Sequence, residues 1–482
     1  MKHWCRFIFC IVIFSFSKTQ AQSNIFFENI ANIDAATQAN ADSLYYTIGT
    51  INIKGNKKTK SYIIDREVPF KEGDKFSAKE LTEQLALAKN QLMNTLLFID
   101  VSVYVVNLVN NTATINVEVK ERWYIFPLPY FKIADRNFNQ WWNEHKASLD
   151  RVNYGLKFFH NNISGRNDKL SVNLITGYSQ QIQFGYTNPF LDKKLKHGFS
   201  VVLSYLRQKE MVYATTSNHK QVLAKSENFI KENAMGLFSY SYRPDSKYRF
   251  YFTLGLYQDK IADTILKLNP NYFPANYTSN KLSYASLSAT LQYFGVDYIP
   301  FPKKGFMYSA TIYGRGLQKD VNMLQVLLKT TNAVTIDDKN FITFHTNSNI
   351  KFGNAKFYYN QLLLGYNDMF VRGMESYVID GMMGFVSNNS FYHKLFDINF
   401  KNPIKIKNYE KIPFSFYAKL YGDFGYAYNQ YATGNKSLAN TLLSSAGIGV
   451  DITTIYDFVF RIEYGVNKLG DKIFGLRING EF

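Results

Sequence analysis

The chain has 482 residues and a formal net charge of +17, from 55 Lys and Arg against 38 Asp and Glu, with only 19% of residues charged. It carries 36 Tyr and 41 Phe but only 11 Pro, and its mean hydropathy is −0.23. After the first twenty residues no stretch approaches the ~18 apolar residues of a spanning helix, which excludes a helical membrane protein, a disordered chain and a disulfide scaffold and leaves a soluble β array or a membrane barrel.

The N-terminus reads as a secretory signal peptide over residues 1–21. Lys2 and Arg6 precede the apolar run Phe7 to Phe16, and Thr19-Gln20-Ala21 ends on a small residue. Its removal takes three basic residues and no acidic one, lowering the charge from +17 to +14, together with both cysteines, Cys5 and Cys10. A thiol-free mature chain suits an oxidising compartment and leaves no Cys nucleophile or thiolate metal ligand. Residues 22–44 read as a polar, aperiodic linker.

Residues 45–122 have a different texture. Ile51 and Ile53 lead into the turn Gly55-Asn56, and Thr59 to Glu67 fits a short helix ended by Pro69. Ser77 and Glu80 form a capping box ahead of Leu81, Leu85, Ala88, Leu92 and Leu96, which recur on one helical face. The period then becomes two, with Val101, Val103 and Val105 in one strand and Ala113, Ile115, Val117 and Val119 in the next. Asn110-Asn111 is the hairpin turn between them. A three-stranded sheet under two helices (βααββ) is a minimal two-layer core. This order resembles the polypeptide-transport-associated (POTRA) domain.

From residue 123 to 482 no helical period recurs. Sixteen segments of alternating apolar and polar residues start near 124, 151, 169, 180, 197, 233, 247, 280, 305, 341, 355, 381, 413, 443, 457 and 472. The pattern is that of a 16-stranded antiparallel transmembrane β-barrel, so the fold class is mainly β. In the last two strands Phe458, Phe460, Ile462, Tyr464, Phe474 and Leu476 share one parity, and Arg461, Glu463 and Arg477 the other. A charge facing lipid at mid-membrane costs ~2–4 kcal/mol, so the aromatic set faces lipid and the charged set the lumen. With residues 45–122 in the periplasm, the connections 208–232, 258–279 and 317–340 fall outside. The turns Tyr178-Ser179, Asp245-Ser246 and Gly353-Asn354 fall inside. Pro127 and Pro129, two apart, lack amide donors on the same side of the first strand. Either they weaken a seam with the last strand, which ends in Phe482, or they bend the chain below the membrane.

Two short motifs sharpen the reading. Val371-Arg372-Gly373-Met374 lies in an outer connection, and Tyr421-Gly422-Asp423-Phe424-Gly425 lies in a strand with Asp423 on lumenal parity. With the small preceding domain and the terminal Phe482, these resemble the BamA/TamA family of outer-membrane assembly barrels. Met374 and Tyr421 depart from the family's usual residues. The resemblance implies a loop–lumen latch in which Arg372 meets Asp423, supported by Val371, Gly373 and Gly425. The seam expected at Pro127, Pro129 and Phe482 would lie between the first and last strands. The resemblance also implies an insertion factor for unfolded outer-membrane protein clients, with periplasmic accessory proteins and outer-membrane lipids as partners. The alternatives are a pore exporting one dedicated protein and a structural barrel.

No enzyme motif is present: no H-E-x-x-H, G-x-S-x-G or phosphate-cradling loop occurs. His160, His197 and His345 have no ligand spacing, so no metal and no cofactor is expected. Basic residues are interspersed with acids, which argues against nucleic acid as a partner.

Overall fold

The computed structural model describes residues 45–133, 146, 148–192, 194–274, 279–316, 322–353, 357–366, 369–401, 411–430, 432 and 438–478. The proposed signal peptide, the linker, Phe482 and the chain just beyond β5 lie outside them.

The first unit comprises β1 (Tyr45–Lys54), α1 (Ser61–Asp65), β2 (Lys75–Ser77), α2 (Ala78–Met93), β3 (Phe98–Val109) and β4 (Thr112–Glu121). Its sheet has the order β2-β1-β4-β3, with β1 parallel to β4. The three-residue β2 adds a fourth strand to the three read from sequence; it is too short for a period-two signal. Ser77 and Glu80 make the reciprocal capping bonds, with the Ser77 amide donating to Glu80 Oε2 at 2.9 Å. Asn110 and Asn111 take φ of 49° and 61°, the left-handed pair of a two-residue hairpin turn. Ile63, Ile64, Leu81, Ala88 and Leu92 of the helices close over Ile48, Val101, Ala113, Ile115 and Val117.

The second unit is the barrel wall. Its strands are β5 (Ile125–Ile133), β6 (Val152–Asn161), β7 (Lys169–Gly177), β8 (Ser179–Phe190) and β9 (His197–Gln208). After the outer hairpin β10 (Glu210–Thr215) and β11 (Gln221–Lys225), the wall continues with β12 (Lys231–Tyr242) and β13 (Tyr248–Ile261). Next come β14 (Lys281–Val296), β15 (Gly305–Arg315), β16 (Met323–Thr335) and β17 (Asn340–Gly353). A long outer connection carries β18 (Leu362–Leu364) and β19 (Ile379–Asp380). The wall then resumes with β20 (Met383–Lys401), β21 (Lys411–Tyr428), β22 (Leu443–Thr454), β23 (Val459–Asn467) and β24 (Lys472–Ile478). Sixteen of these strands form one antiparallel sheet in chain order from β5 to β24.

Alternation sorts the side chains. Phe252, Leu254, Leu256, Ile462, Tyr464, Phe474 and Leu476 are exposed on the outside, while Arg461 and Glu463 are buried inside. Tyr248, Tyr293 and Tyr308 make ring contacts across three strands, tilted at 5.0 Å and stacked at 5.5 Å, near the periplasmic ends, forming part of an aromatic girdle.

Three sequence expectations are corrected. β16 crosses the wall inside the 317–340 stretch expected to be an outer loop; the run Val326-Leu327-Leu328 blurs its alternation. The strand expected near 355 is not one: the described residues there, Tyr358–Gln361, form a helical turn in the outer connection. With strand directions fixed, Tyr178-Ser179 and Gly353 lie at outer ends, and only Asp245-Ser246 is an inner turn. A two-residue turn serves either end of a barrel, so turn length alone does not report the side.

The small domain docks on the inner turns. Phe190 at the end of β8 and Leu195 of the β8–β9 connection join its hydrophobic core. Asn94 bonds the β14–β15 turn through Asp297 O at 3.2 Å and Ile299 N at 2.9 Å. Arg122 pairs with Asp457, and the Lys60 amide donates to Gly165 O at 3.0 Å.

Candidate functional site

The outer connection after β17 folds back into the barrel. Val371, Arg372 and Met374 are buried, and Asp423, on the lumenal face of β21, is fully enclosed. Arg372 Nε donates to Asp423 Oδ2 at 2.7 Å and Nη2 to Oδ1 at 2.6 Å, while the Arg372 amide reaches Oδ2 at 3.1 Å. The remaining guanidinium hydrogens go to Ser390 Oγ at 3.0 Å, Asn389 O at 3.0 Å and Glu463 Oε1 at 3.4 Å. Burial opposes the Arg372 charge, but the Asp423 hydrogen bonds and charge outweigh it and raise the pKa of the guanidinium. A planar fork meeting a carboxylate bidentately is the geometry in which a buried pair compensates its desolvation.

The neighbouring motif residues are shaped to this pair. Gly373 has φ +83°, and its carbonyl accepts from Asn467 Nδ2 at 2.8 Å. A Cβ on Gly425 would stand 2.6 Å from Val371 Cγ2, so the glycine makes room for the valine. Met374, where the sequence departs from the aromatic of the resembled family, is buried with Val371, Leu363 and Leu443. Tyr421 lays its ring 4.3 Å from the Arg372 guanidinium carbon. A Cβ on Gly465 would fall 2.1 Å from the Tyr421 hydroxyl, and one on Gly447 2.5 Å, so the ring rests on a glycine floor.

Around this centre lies a charged network that the motifs alone do not reveal. Lys419 bonds both Asp451 and Glu463 at 2.6 Å, Arg461 lies 3.3 Å from Asp451, and Arg477 pairs with Glu463. Arg477 also meets Glu375 at 3.6 Å and stacks on Phe370, tying the loop tip to β24. The sequence signal for these residues was their common lumenal parity on successive strands. Their mutual pairing required the register of β21 to β24.

Pro127 and Pro129 lie within β5, paired with Phe158 and Leu156 of β6. The Asn161 amide donates to Tyr124 O at 2.8 Å, so Tyr124 and every second residue after it exchange bonds with β6. Residues 125, 127, 129 and 131 therefore turn their backbone polar groups away from β6. The two prolines cost the β5–β6 ladder nothing and remove two donors from the opposite edge. The Trp123 indole donates to the Ile125 carbonyl on that same edge. β5 and β24 end the sheet, and among the described residues no ladder joins them.

Glu67, beyond α1, is fully buried between Arg243 of the β12–β13 turn, at 2.6 and 2.7 Å, and Arg66 at 2.7 Å. Burial favours its neutral form, but Arg243 and Arg66 overcome that and hold its pKa at about 2.

Residues 46–122 match the POTRA family described as a surface antigen variable number repeat, and residues 162–480 match the Omp85 superfamily domain. Among solved structures, CdiB from Escherichia coli is similar at 10% identity over 90% of this chain and 74% of that one, with a TM-score of 0.50. BamA from Haemophilus ducreyi lacking POTRA domains 1–3 gives 15% identity over 90% and 83%, with a TM-score of 0.49. CdiB from Acinetobacter baumannii gives 14% over 90% and 74%, with 0.46. At 10% identity the likeness to CdiB from Escherichia coli is one of fold. No curated protein matches the chain in sequence.

Proposed function

Because the chain belongs to the Omp85 superfamily, a barrel in the outer membrane with its POTRA domain in the periplasm, we propose that it inserts β-barrel clients into that membrane. The observation that carries the reading is the seam. β5 and β24 share no ladder among the described residues, and β5 offers an edge thinned by Pro127 and Pro129. Unpaired backbone facing lipid is costly, so such an edge favours pairing with an incoming strand. β3, the long outer strand of the small sheet, is the edge on which a client or a periplasmic partner adds in extended form. The Arg372–Asp423 latch fixes the β21–β24 wall against which the seam opens. The mechanism has no chemical step.

The second reading, a pore exporting one dedicated protein, requires a path through the lumen. The buried loop tip at Arg372 and the docked small domain both stand in that path. One experiment separates the two. Depletion of the protein lowers many outer-membrane barrels if it is an insertion factor, and one exported protein if it is a pore. Cysteines at Phe131 and at Phe474 or Leu476, oxidised across the seam, block the first activity and spare the second.

A further inference from the structure

At the periplasmic mouth a cavity of about 780 Å³ lies between α2 and the lumenal wall. Its walls carry Lys169 of β7 and Arg249 of β13, both on the inward parity of strands whose alternate residues, such as Leu174 and Phe252, are exposed outside. Lys247 and Lys304 stand at its rim. Among the described residues neither Lys169 nor Arg249 has a carboxylate within ion-pair distance. The cavity's own carboxylates are engaged elsewhere: Glu67 is shared by Arg66 and Arg243, and Asp297 accepts the amides of Lys303 and Lys304 at 3.0 and 3.2 Å. Arg249 is not loose, since its guanidinium carbon lies 4.5 Å from the centre of the Phe294 ring, which orients the group. Among the described residues the chamber therefore holds positive charge that no carboxylate pairs, in a partly enclosed space.

The rest of the lining indicates what kind of anion fits. Ser200, Ser239 and Gln292 line the barrel side, and Asn90 and Gln91 line the α2 side. Such groups both donate and accept, and they stand on opposite walls. A bare anion uses only donors, whereas an extended polypeptide needs both. The lining belongs to the lumen and the periplasmic domain, away from the lipid face.

We propose that this chamber binds an acidic, extended polypeptide segment, with Lys169 and Arg249 taking its carboxylates and the hydroxyl and amide side chains taking its backbone. The inference rests on the reading that the protein handles polypeptide clients, and it names the class of segment received at the mouth.

The test uses the purified full-length protein in detergent and a fluorescent short peptide alternating Asp and Ser, followed by anisotropy. The acidic peptide binds, its Asn-for-Asp counterpart binds at least about tenfold more weakly, and added salt weakens the complex. Lys169→Gln with Arg249→Gln weakens it at least about tenfold, while Lys225→Gln, in the outer strand β11 at the opposite end of the barrel, leaves it unchanged. Heat-modifiable migration on gels verifies that each variant is a folded barrel. Equal binding by wild type and double variant overturns the proposal, as does equal binding of the acidic and neutral peptides. Binding of inorganic phosphate or phosphatidylglycerol vesicles that depends on both cations, with no peptide binding, also overturns it, in favour of a phosphate site. If the peptide binds as expected but depletion lowers only one exported protein, the insertion reading falls and the chamber stands.

Discussion

The Arg372 guanidinium and the Asp423 carboxylate form a two-bonded pair at 2.7 and 2.6 Å, both side chains shut away from solvent. Removing one partner leaves the other charged and buried, which costs ~3–5 kcal/mol. Arg372→Ala and Asp423→Ala each release the loop tip without dismantling the ladder. The expected result is a folded, heat-modifiable barrel of lower thermal stability, with new protease cleavage near residues 369–378 and lost insertion activity. Arg372→Lys keeps the charge but not the fork, and falls between. Wild-type activity for both alanine variants at normal protein levels would sink the latch.

The Tyr421 ring rests where Gly465 and Gly447 have no side chain. Gly465→Ala forces its methyl against the Tyr421 hydroxyl and costs ~1–3 kcal/mol by overpacking. Tyr421→Phe removes the nearest atom in the way while the Ala446 carbonyl, 2.7 Å from the added Cβ, remains, so the double variant recovers part of the loss. Thermal melting of the two single variants and the double variant measures the coupling. Strict additivity would contradict this packing.

Docking of the small domain depends on pH through Glu67. Its carboxyl lies at about 2, below the ordinary 4.5, because Arg243 and Arg66 outweigh its burial. A depressed carboxyl contributes its stabilisation in full above about 4.5 and loses it as pH falls towards 2. The contribution is ~3 kcal/mol. Hydrogen exchange of the β12–β13 turn rises across that window in the wild type. In Glu67→Gln it is already raised at neutral pH, and its acid dependence is weakened.

The seam prolines make an opposite kind of prediction, a gain of pairing. Pro127→Ala with Pro129→Ala restores two donors on the edge facing away from β6, and the β5–β6 ladder is unaffected. Oxidative cross-linking between Phe131→Cys and Phe474→Cys becomes more efficient, and client insertion slows. Unchanged cross-linking and insertion in the double alanine variant would remove the prolines from the mechanism.

Much of the architecture was written in local patterns. Ser77 and Glu80 announced α2, and Asn110-Asn111 announced the hairpin. The alternation of Phe474 and Leu476 with Arg477 announced which face meets lipid, because a strand's period of two needs no tertiary information. That signal failed where local residues break it. Leu327 interrupts the alternation of β16, and β2 is too short to show any. The placement of Gly353 fails for a different reason: missing β16 upstream reverses the count of crossings, whereas Tyr178-Ser179 fails because a short turn serves either end of a barrel.

The site divides in the same way. The sequence marked Arg372 and Asp423 through two short motifs that resemble those of the BamA/TamA family, with Asp423 on the lumenal parity of its strand. It also marked Pro127 and Pro129, whose spacing fixes that both missing donors point one way. Only the tertiary structure decided which way that is, because it depends on which β5 residues exchange bonds with β6. Only the structure joined Lys419 to Asp451 and Glu463, and Glu67 to Arg243, since these pairs come from strand register and domain docking between residues distant in the chain. Composition recorded an excess of positive charge. The fold decided where part of it goes unpaired, at Lys169 and Arg249 in the periplasmic mouth, because the prior engagement of Glu67 and Asp297 leaves those two cations no carboxylate among the described residues.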